Sequence, residues 1–439
     1  MRIRQMRWVA SLLAVSLVAA ACNGVATDEE GAQELDPVGA EEGEAAEEGE
    51  SPDAVEAPED MAGDPISLGF VSVFSGRVAM LGETGYKGAQ LAVTEINDAG
   101  GLLDGRPFEI SSRDSAADPE QAVRAAREFA LTDDVDFIID GSSSSESFAV
   151  SQASEELETV VLATASEADT LTAPENFQES VFRVARNTQL DGIANALYAS
   201  ELGHETWMGI SPDYAYGRDG NLRFFDAMEE LQPDIEVGTE LWPALFEPDY
   251  TPLIQQILDA SPDAVYSVLW GGDLVAFIQQ ATPFGLFDEV EFFTPNVADS
   301  LVLDSVGADL PAGIHTGSRF AIGSPETESN AAFDADYRQM FGEGPTNWSI
   351  QGYVAVKALA EAIESTGGIE REAIIEELKG LQVEDSPWGD VSIREEDHTL
   401  INYDIRWGLT DPERDEYPVE FTFEADWDTI LEMEGLETS

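Results

Sequence analysis

The sequence predicts an α/β fold with mostly parallel sheets. The first observation is the order strand, helix, strand, helix between residues 64 and 127, the βαβα unit that a parallel sheet requires. The second is that the alternation starts again near Gln189, giving two sets of elements in 439 residues, enough for two domains. The third is where the strands end: Ser75-Gly76, Gly141-Ser142-Ser143-Ser144-Ser145 and Ala165-Ser166 are all small, hydroxyl-bearing loops.

The opening strand is the apolar run 66–74, broken at Ser75-Gly76. A helix over 82–97 follows, with Tyr86, Ala89, Val93 and Ile96 on one stripe and Glu83 and Lys87 spaced for an exposed pair. After the Gly100-Gly101 to Gly105 turn comes strand 107–113. Asp118-Pro119-Glu120-Gln121 then reads as an N-cap, a proline at the first helical position and a capping partner, opening helix 120–131. Strand 135–140, the serine loop, helix 148–157 and strand 159–163 complete the first set.

In an open parallel sheet, ligands bind beyond the carboxyl ends of the strands. Backbone amides at helix starts, backed by serine hydroxyls, make a seat there for an anionic or strongly polar group. One serine loop alone reads as a turn; three at corresponding strand ends read as a site.

The second set runs from helix 190–202 through strand 206–210 to Asp213-Tyr214-Ala215-Tyr216-Gly217. A helix to 231, strand 235–241, helix 251–260 and strand 263–269 follow, ending in Trp270-Gly271-Gly272. Helix 274–284 and strand 290–294 lead to Pro295-Asn296. Tyr216 and Trp270 stand at strand ends and are expected to face a cleft. The chain returns through His315-Thr316-Gly317 to helices over 329–341, 348–365 and 370–381, then strand-like stretches at 391–393 and 401–407. From Asp411 the sequence is acidic and yields no clear element.

Composition narrows the function. The chain carries 88 acidic and 21 basic residues, a net charge of −67, so nucleic acid is excluded as a partner for want of a basic footprint. The acidity is spread: residues 65–439 alone carry −54, and Lys87, Lys357 and Lys379 are the only lysines. Such a surface suits concentrated salt, where a Debye length of about 3 Å at 1 M removes the self-repulsion.

Arg2, Arg4 and Arg7 precede a short apolar run that ends at Ala19-Ala20-Ala21-Cys22. A basic start, a brief apolar core and small residues describe a signal peptide, too short to span a bilayer. Small residues directly before the only cysteine of the chain resemble a bacterial lipobox, which implies lipidation of Cys22. Residues 23–64 hold 16 acidic residues, no basic ones and little to bury, so a disordered acidic tether is expected.

The ordered pieces Ser75-Gly76, Gly82, Gly88-Ala89, Glu95-Ile96-Asn97, Gly100-Gly101, Gly105-Arg106, Arg113-Asp114 and Asp118-Pro119 carry a more specific likeness. With the serine loop, Leu171-Thr172, Tyr216-Gly217 and Gln351-Gly352-Tyr353, the chain from 66 to 407 resembles the type I periplasmic solute-binding proteins of ABC importers. The branched-chain amino acid and amide group, leucine-binding-protein-like, is the nearest. The resemblance implies two Rossmann-like lobes joined by a three-segment hinge and a ligand clamped between them. It implies lobe 1 over 66–188 plus 315–385, lobe 2 over 189–314 plus 386–425, and an acidic tail over 426–439.

It also implies ligand contacts. Ser75 and Leu81 fall in the first ligand loop, and Ser143 matches a serine that binds the ligand carboxylate. Ala165, Ser166 and Glu167 cover a small-small-threonine segment, Tyr216 matches a ligand-contacting tyrosine, and Trp270 an aromatic wall. The usual acidic anchor for a ligand ammonium falls on Asn296, which cannot neutralise a buried cation. Asp299 or Glu167 then supplies the charge, or the ligand is an amide or carboxylate. The implied partners are a small amino acid or amide and the permease subunits of an ABC importer. The protein would be an extracytoplasmic monomer, held to the membrane only by its lipid.

An enzyme is the rival class. No nucleotide-binding glycine motif, nucleophile elbow or zinc-protease helix motif is present, and His204, His315 and His398 are scattered. No cofactor or metal site is expected. A sensory receptor domain of the same fold is the second rival.

Overall fold

The computed structural model describes residues 51–58, 61, 63–318, 320, 321, 323–414 and 417–435. The expected signal peptide, Cys22 and most of the expected tether lie outside the described residues. No described helix is long and apolar enough to cross a membrane.

The first lobe begins as the sequence directs: β1 (Ile66–Ser72), α1 (Ala79–Asp98), β2 (Phe108–Asp114), α2 (Pro119–Glu128), β3 (Phe137–Asp140), α3 (Ser144–Leu157), β4 (Val160–Ala163) and β5 (Val181–Arg183). Its sheet runs in the order β2-β1-β3-β4-β5, with every neighbouring pair parallel. β3 and β4 are buried throughout and apolar except for Asp140 at the end of β3, as strands covered by helices on both faces must largely be. Asp118 accepts a hydrogen bond from the Gln121 amide at 2.9 Å with Pro119 at the first helical position, the cap expected from the sequence.

The second lobe contains α4 (Thr188–Ser200), β6 (Thr206–Ile210), α5 (Ala215–Leu231), β7 (Glu236–Leu241), α6 (Thr251–Ala260), β8 (Ala264–Tyr266), α7 (Gly271–Ala281), α8 (Leu286–Glu289), β9 (Glu291–Thr294), α9 (Ser300–Val306) and β10 (His315–Gly317). The chain then supplies α10 (Glu328–Phe341), α11 (Asn347–Thr366), α12 (Arg371–Leu378), β11 (Gln382–Ser386), β12 (Gly389–Ile393) and β13 (Leu400–Ile401). It closes with β14 (Arg406–Thr410), β15 (Val419–Glu424) and α13 (Trp427–Glu434). The second sheet has the order β15-β14-β10-β9-β8-β6-β7; β10 is parallel to β9, and β14 and β15 add antiparallel strands at that edge.

The chain therefore crosses between lobes three times, after β5, after β10 and before β14. Arg186 ties these crossings together. It is 1 % exposed, pairs with Asp191 at 2.9 Å and donates to the Ser318 carbonyl at 3.0 Å, while the Tyr403 hydroxyl donates to the same Asp191 at 3.0 Å.

Several expectations shift. His315–Gly317 pairs with β9, so it belongs to the second sheet rather than to lobe 1. Residues 389–401 belong beside the first: the Arg183 amide donates to the His398 carbonyl at 2.8 Å and Arg183 bridges to Thr399. The tether's last residues are bound, since Val55 pairs antiparallel with Ile110 and the Asp53 carbonyl accepts from Tyr86 and Gln90. The C-terminal stretch forms α13 on α4, where Ile430 is fully buried and Glu434 pairs with Arg394 at 2.6 Å. Lys87 does not pair with Glu83; it reaches Glu343 at 2.6 Å, because the turn after α10 lies closer than its own helix neighbour.

Two glycine contacts bring α11 onto α1. A Cβ at Gly88 would sit 1.8 Å from the Ser349 carbonyl oxygen, and one at Gly352 would sit 2.2 Å from that of Gly85. Only residues without side chains allow the helices this close. The approach sets the first turn of α11, and with it Trp348, beside the first turn of α1.

Candidate functional site

The cleft between the lobes holds a small cavity, lined by Leu81, Ser143, Ser144, Ala165, Glu167 and Trp348 from the first lobe and by Tyr214, Tyr216 and Trp270 from the second. Of the residues singled out from sequence, Leu81, Ser143, Ala165, Glu167, Tyr216 and Trp270 are brought together. Ser75, Ser166 and Asn296 stand off the lining. Three lining residues were missed. Ser144 and Tyr214 lay inside loops that the sequence had flagged, whereas Trp348 becomes visible only through the α1–α11 packing.

Ser143, Ser144, Tyr214, Tyr216 and Trp270 arrive at helix N-termini beyond the carboxyl ends of strands, and Glu167 on the loop after β4. Ser143 is the N-cap of α3 after β3, and its amide and hydroxyl both donate to Glu146, at 3.2 and 2.6 Å. This capping box occupies the hydroxyl hydrogen that the resemblance assigned to a ligand carboxylate. Ser144 differs. Its oxygen accepts from the Ala168 amide at 3.3 Å, which leaves its one hydroxyl hydrogen to donate. With the first-turn amides of α3, which have no intrahelical acceptor, Ser144 forms an anion seat favoured by the helix dipole.

A carboxylate lines the same cavity. Glu167 is 4 % exposed, and its backbone is pinned by buried Arg183. That guanidinium donates to the Glu167 carbonyl at 3.3 Å, the Thr172 hydroxyl at 2.7 Å and the Asp169 carbonyl at 3.5 Å. The Glu167 carbonyl also accepts from the Thr188 amide at 2.9 Å, joining the loop to the start of α4. Asp299, the other candidate anion, lies off the lining. It caps α9 by accepting from Leu301 at 3.0 Å and accepts from the Asn347 amide of α11 at 3.2 Å, so one carboxylate bridges helix starts on the two lobes. Burial pushes its pKa up to about 6, against the pull of those two amide bonds.

The second lobe supplies rings. Tyr214 is the N-cap of α5 and Trp270 that of α7. The Trp270 indole donates to the Tyr214 hydroxyl at 2.9 Å, and Asn296 donates to the Leu269 carbonyl at 2.9 Å and the Tyr216 hydroxyl at 3.4 Å. Asn296 thus acts behind Tyr216. Burial raises the pKa of both tyrosines, keeping them protonated. Trp270 meets Trp348 across the cleft edge to face, centroids 5.6 Å apart. On the far side of Trp270 an outer cavity of about 310 Å³ is lined by Arg77, Met80, Phe246 and Asp273, with the Arg77 guanidinium 5.5 Å from the Phe246 ring centre.

Two α/β lobes, three crossings and a cavity in the cleft fed by helix starts from both sides define a two-lobed solute-binding protein. The chain belongs to the periplasmic binding protein family, whose model matches residues 65–403. That family comprises solute-binding proteins that work outside the cytoplasm, not enzymes.

Among curated relatives, Leu/Ile/Val-binding protein homolog 7 of Brucella abortus (strain 2308) is 26% identical over 333 residues, covering 73% of this chain and 82% of the relative. Homolog 8 of Brucella suis biovar 1 is 24% identical over 362 residues, covering 78% and 84%. Among solved structures, an ABC transporter substrate-binding protein from Sphaerobacter thermophilus superposes with a TM-score of 0.74 at 25% identity, covering 83% of this chain and 99% of that one. The leucine-binding protein LivK of Thermotoga maritima gives 0.71 at 20% identity, with coverage of 83% and 99%.

Proposed function

We propose that this chain captures a small zwitterion, an amino acid or a close amide relative, between its lobes and delivers it to the permease of an ABC importer. Lipidated Cys22 would hold it at the outer face of the membrane. The observation that carries the reading is the pairing, in one cavity, of an anion seat at Ser144 and α3 with the buried Glu167 carboxylate. The seat takes a carboxylate and Glu167 takes an ammonium, which answers the absence of an acid at Asn296. The Brucella relatives named for leucine, isoleucine and valine binding support an amino acid.

Isothermal titration of the purified chain against amino acids, simple amides and benzoate tests it. A saturable one-to-one heat is expected with a zwitterion and none with benzoate. Glu167→Gln should weaken the zwitterion by roughly tenfold to a hundredfold, the worth of a hydrogen bond to a charged group. Binding of benzoate alone, or an unchanged affinity in Glu167→Gln, contradicts the proposal.

A further inference from the structure

Resting on that reading, we infer that the cation of the ligand is an alkylated ammonium, held in an aromatic box, so that N-methylated amino acids are the preferred class. Tyr214, Tyr216, Trp270 and Trp348 wall the same cavity that holds Glu167. Trp270 and Trp348 form a corner, centroids 5.6 Å apart at 66°, and Tyr214 and Tyr216 form a second, 6.0 Å apart at 41°.

Polar contacts at their edges hold three of these rings in place. The Trp270 indole N–H goes to Tyr214, and the Tyr216 hydroxyl accepts from Asn296, whose amide nitrogen also serves Leu269. Together the four rings offer a ligand a large area of π surface. A primary ammonium carries three N–H groups that each want an acceptor. An ammonium whose hydrogens are replaced by methyl groups wants none. It spreads its charge over apolar surface and is attracted by ring faces, most strongly when desolvated. Glu167 supplies the countercharge and Ser144 with α3 takes the carboxylate.

The test is titration calorimetry of the chain with glycine, N,N-dimethylglycine, N,N,N-trimethylglycine, L-valine, L-leucine and 3,3-dimethylbutanoate. The last has the shape of trimethylglycine with carbon in place of the charged nitrogen. Affinity is expected to rise with each methylation, with trimethylglycine roughly tenfold or more tighter than both glycine and the neutral isostere. Trp270→Phe should retain most of that preference and Trp270→Leu should lose it, each judged on protein whose thermal transition is intact. If valine or leucine binds more tightly than trimethylglycine, the box is overturned while amino acid capture stands. Equal binding of the isostere makes the rings a plain apolar wall and also overturns it. If no zwitterion binds, both readings fall together.

Discussion

Ser143 and Ser144 stand side by side at the start of α3, yet the capping box gives them different work. Glu146 takes both donors of Ser143, and only Ser144 keeps a hydroxyl hydrogen for the cavity. The serine loop was legible as an anion seat because serines and a helix start share that chemistry in any context. Which serine serves was not legible, because it depends on where Glu146 turns. The choice among Glu167, Asp299 and Asn296 was hidden for the same reason, since Asp299 lies off the lining and accepts from the Asn347 amide, which lies 48 residues further along the chain. A neighbouring carboxylate offers a sharper test at this scale. Asp140 ends β3 beneath the serine loop, 1 % exposed, and one of its oxygens has no hydrogen-bond partner. Burial pushes its pKa up to about 6, against the hydrogen bonds from Ser142. An acid whose pKa is raised by folding favours the folded state most at low pH, and that contribution is lost as the pH rises through its folded value. We therefore expect Asp140→Asn to gain stability relative to the parent between pH 4 and pH 7, by roughly 3 kcal/mol in full. Urea unfolding across that range measures the difference, and parallel curves for the two proteins contradict it.

At the scale of elements, the βαβα opening was readable because each piece agreed with its neighbours. The strands are apolar and the caps explicit, and the glycines stand where a backbone comes close. The pieces that escaped are short or masked by charge. β5 is three residues long, and β15 reads Val419-Glu420-Phe421-Thr422-Phe423-Glu424, a true period-two pattern whose acids hid it. Sheet membership escaped as well, since β10 is placed by its partner β9 rather than by its own three residues. The α1–α11 contact is the most consequential packing for the site, because it carries Trp348 into the cavity. Gly88→Ala would force a Cβ to 1.8 Å from the Ser349 oxygen, and the helices must separate. We expect a loss of about 1–3 kcal/mol in chemical denaturation, together with weaker ligand binding as Trp348 leaves Trp270. A variant that matches the parent in both measurements contradicts this packing.

The chain carries a large excess of acid, 88 against 21, in its body as well as in residues 23–64. Self-repulsion of that size falls as the screening length drops from about 10 Å at 0.1 M salt to about 3 Å at 1 M. A melting temperature that climbs steadily between 0.1 and 2 M potassium chloride is expected, and a flat or falling one removes the case for salt adaptation. With three crossings gathered on Arg186, the motion expected of the two-lobed plan is opening and closing about the cavity. The most direct test of what that closure holds is a crystal structure with the tightest-binding zwitterion from the titrations. We expect its carboxylate within hydrogen-bond distance of Ser144 and the first amides of α3, and its cation against Glu167 and the aromatic rings. A ligand seated instead in the outer cavity beside Arg77 and Asp273, or turned with its carboxylate away from α3, would contradict the clamp proposed for this protein.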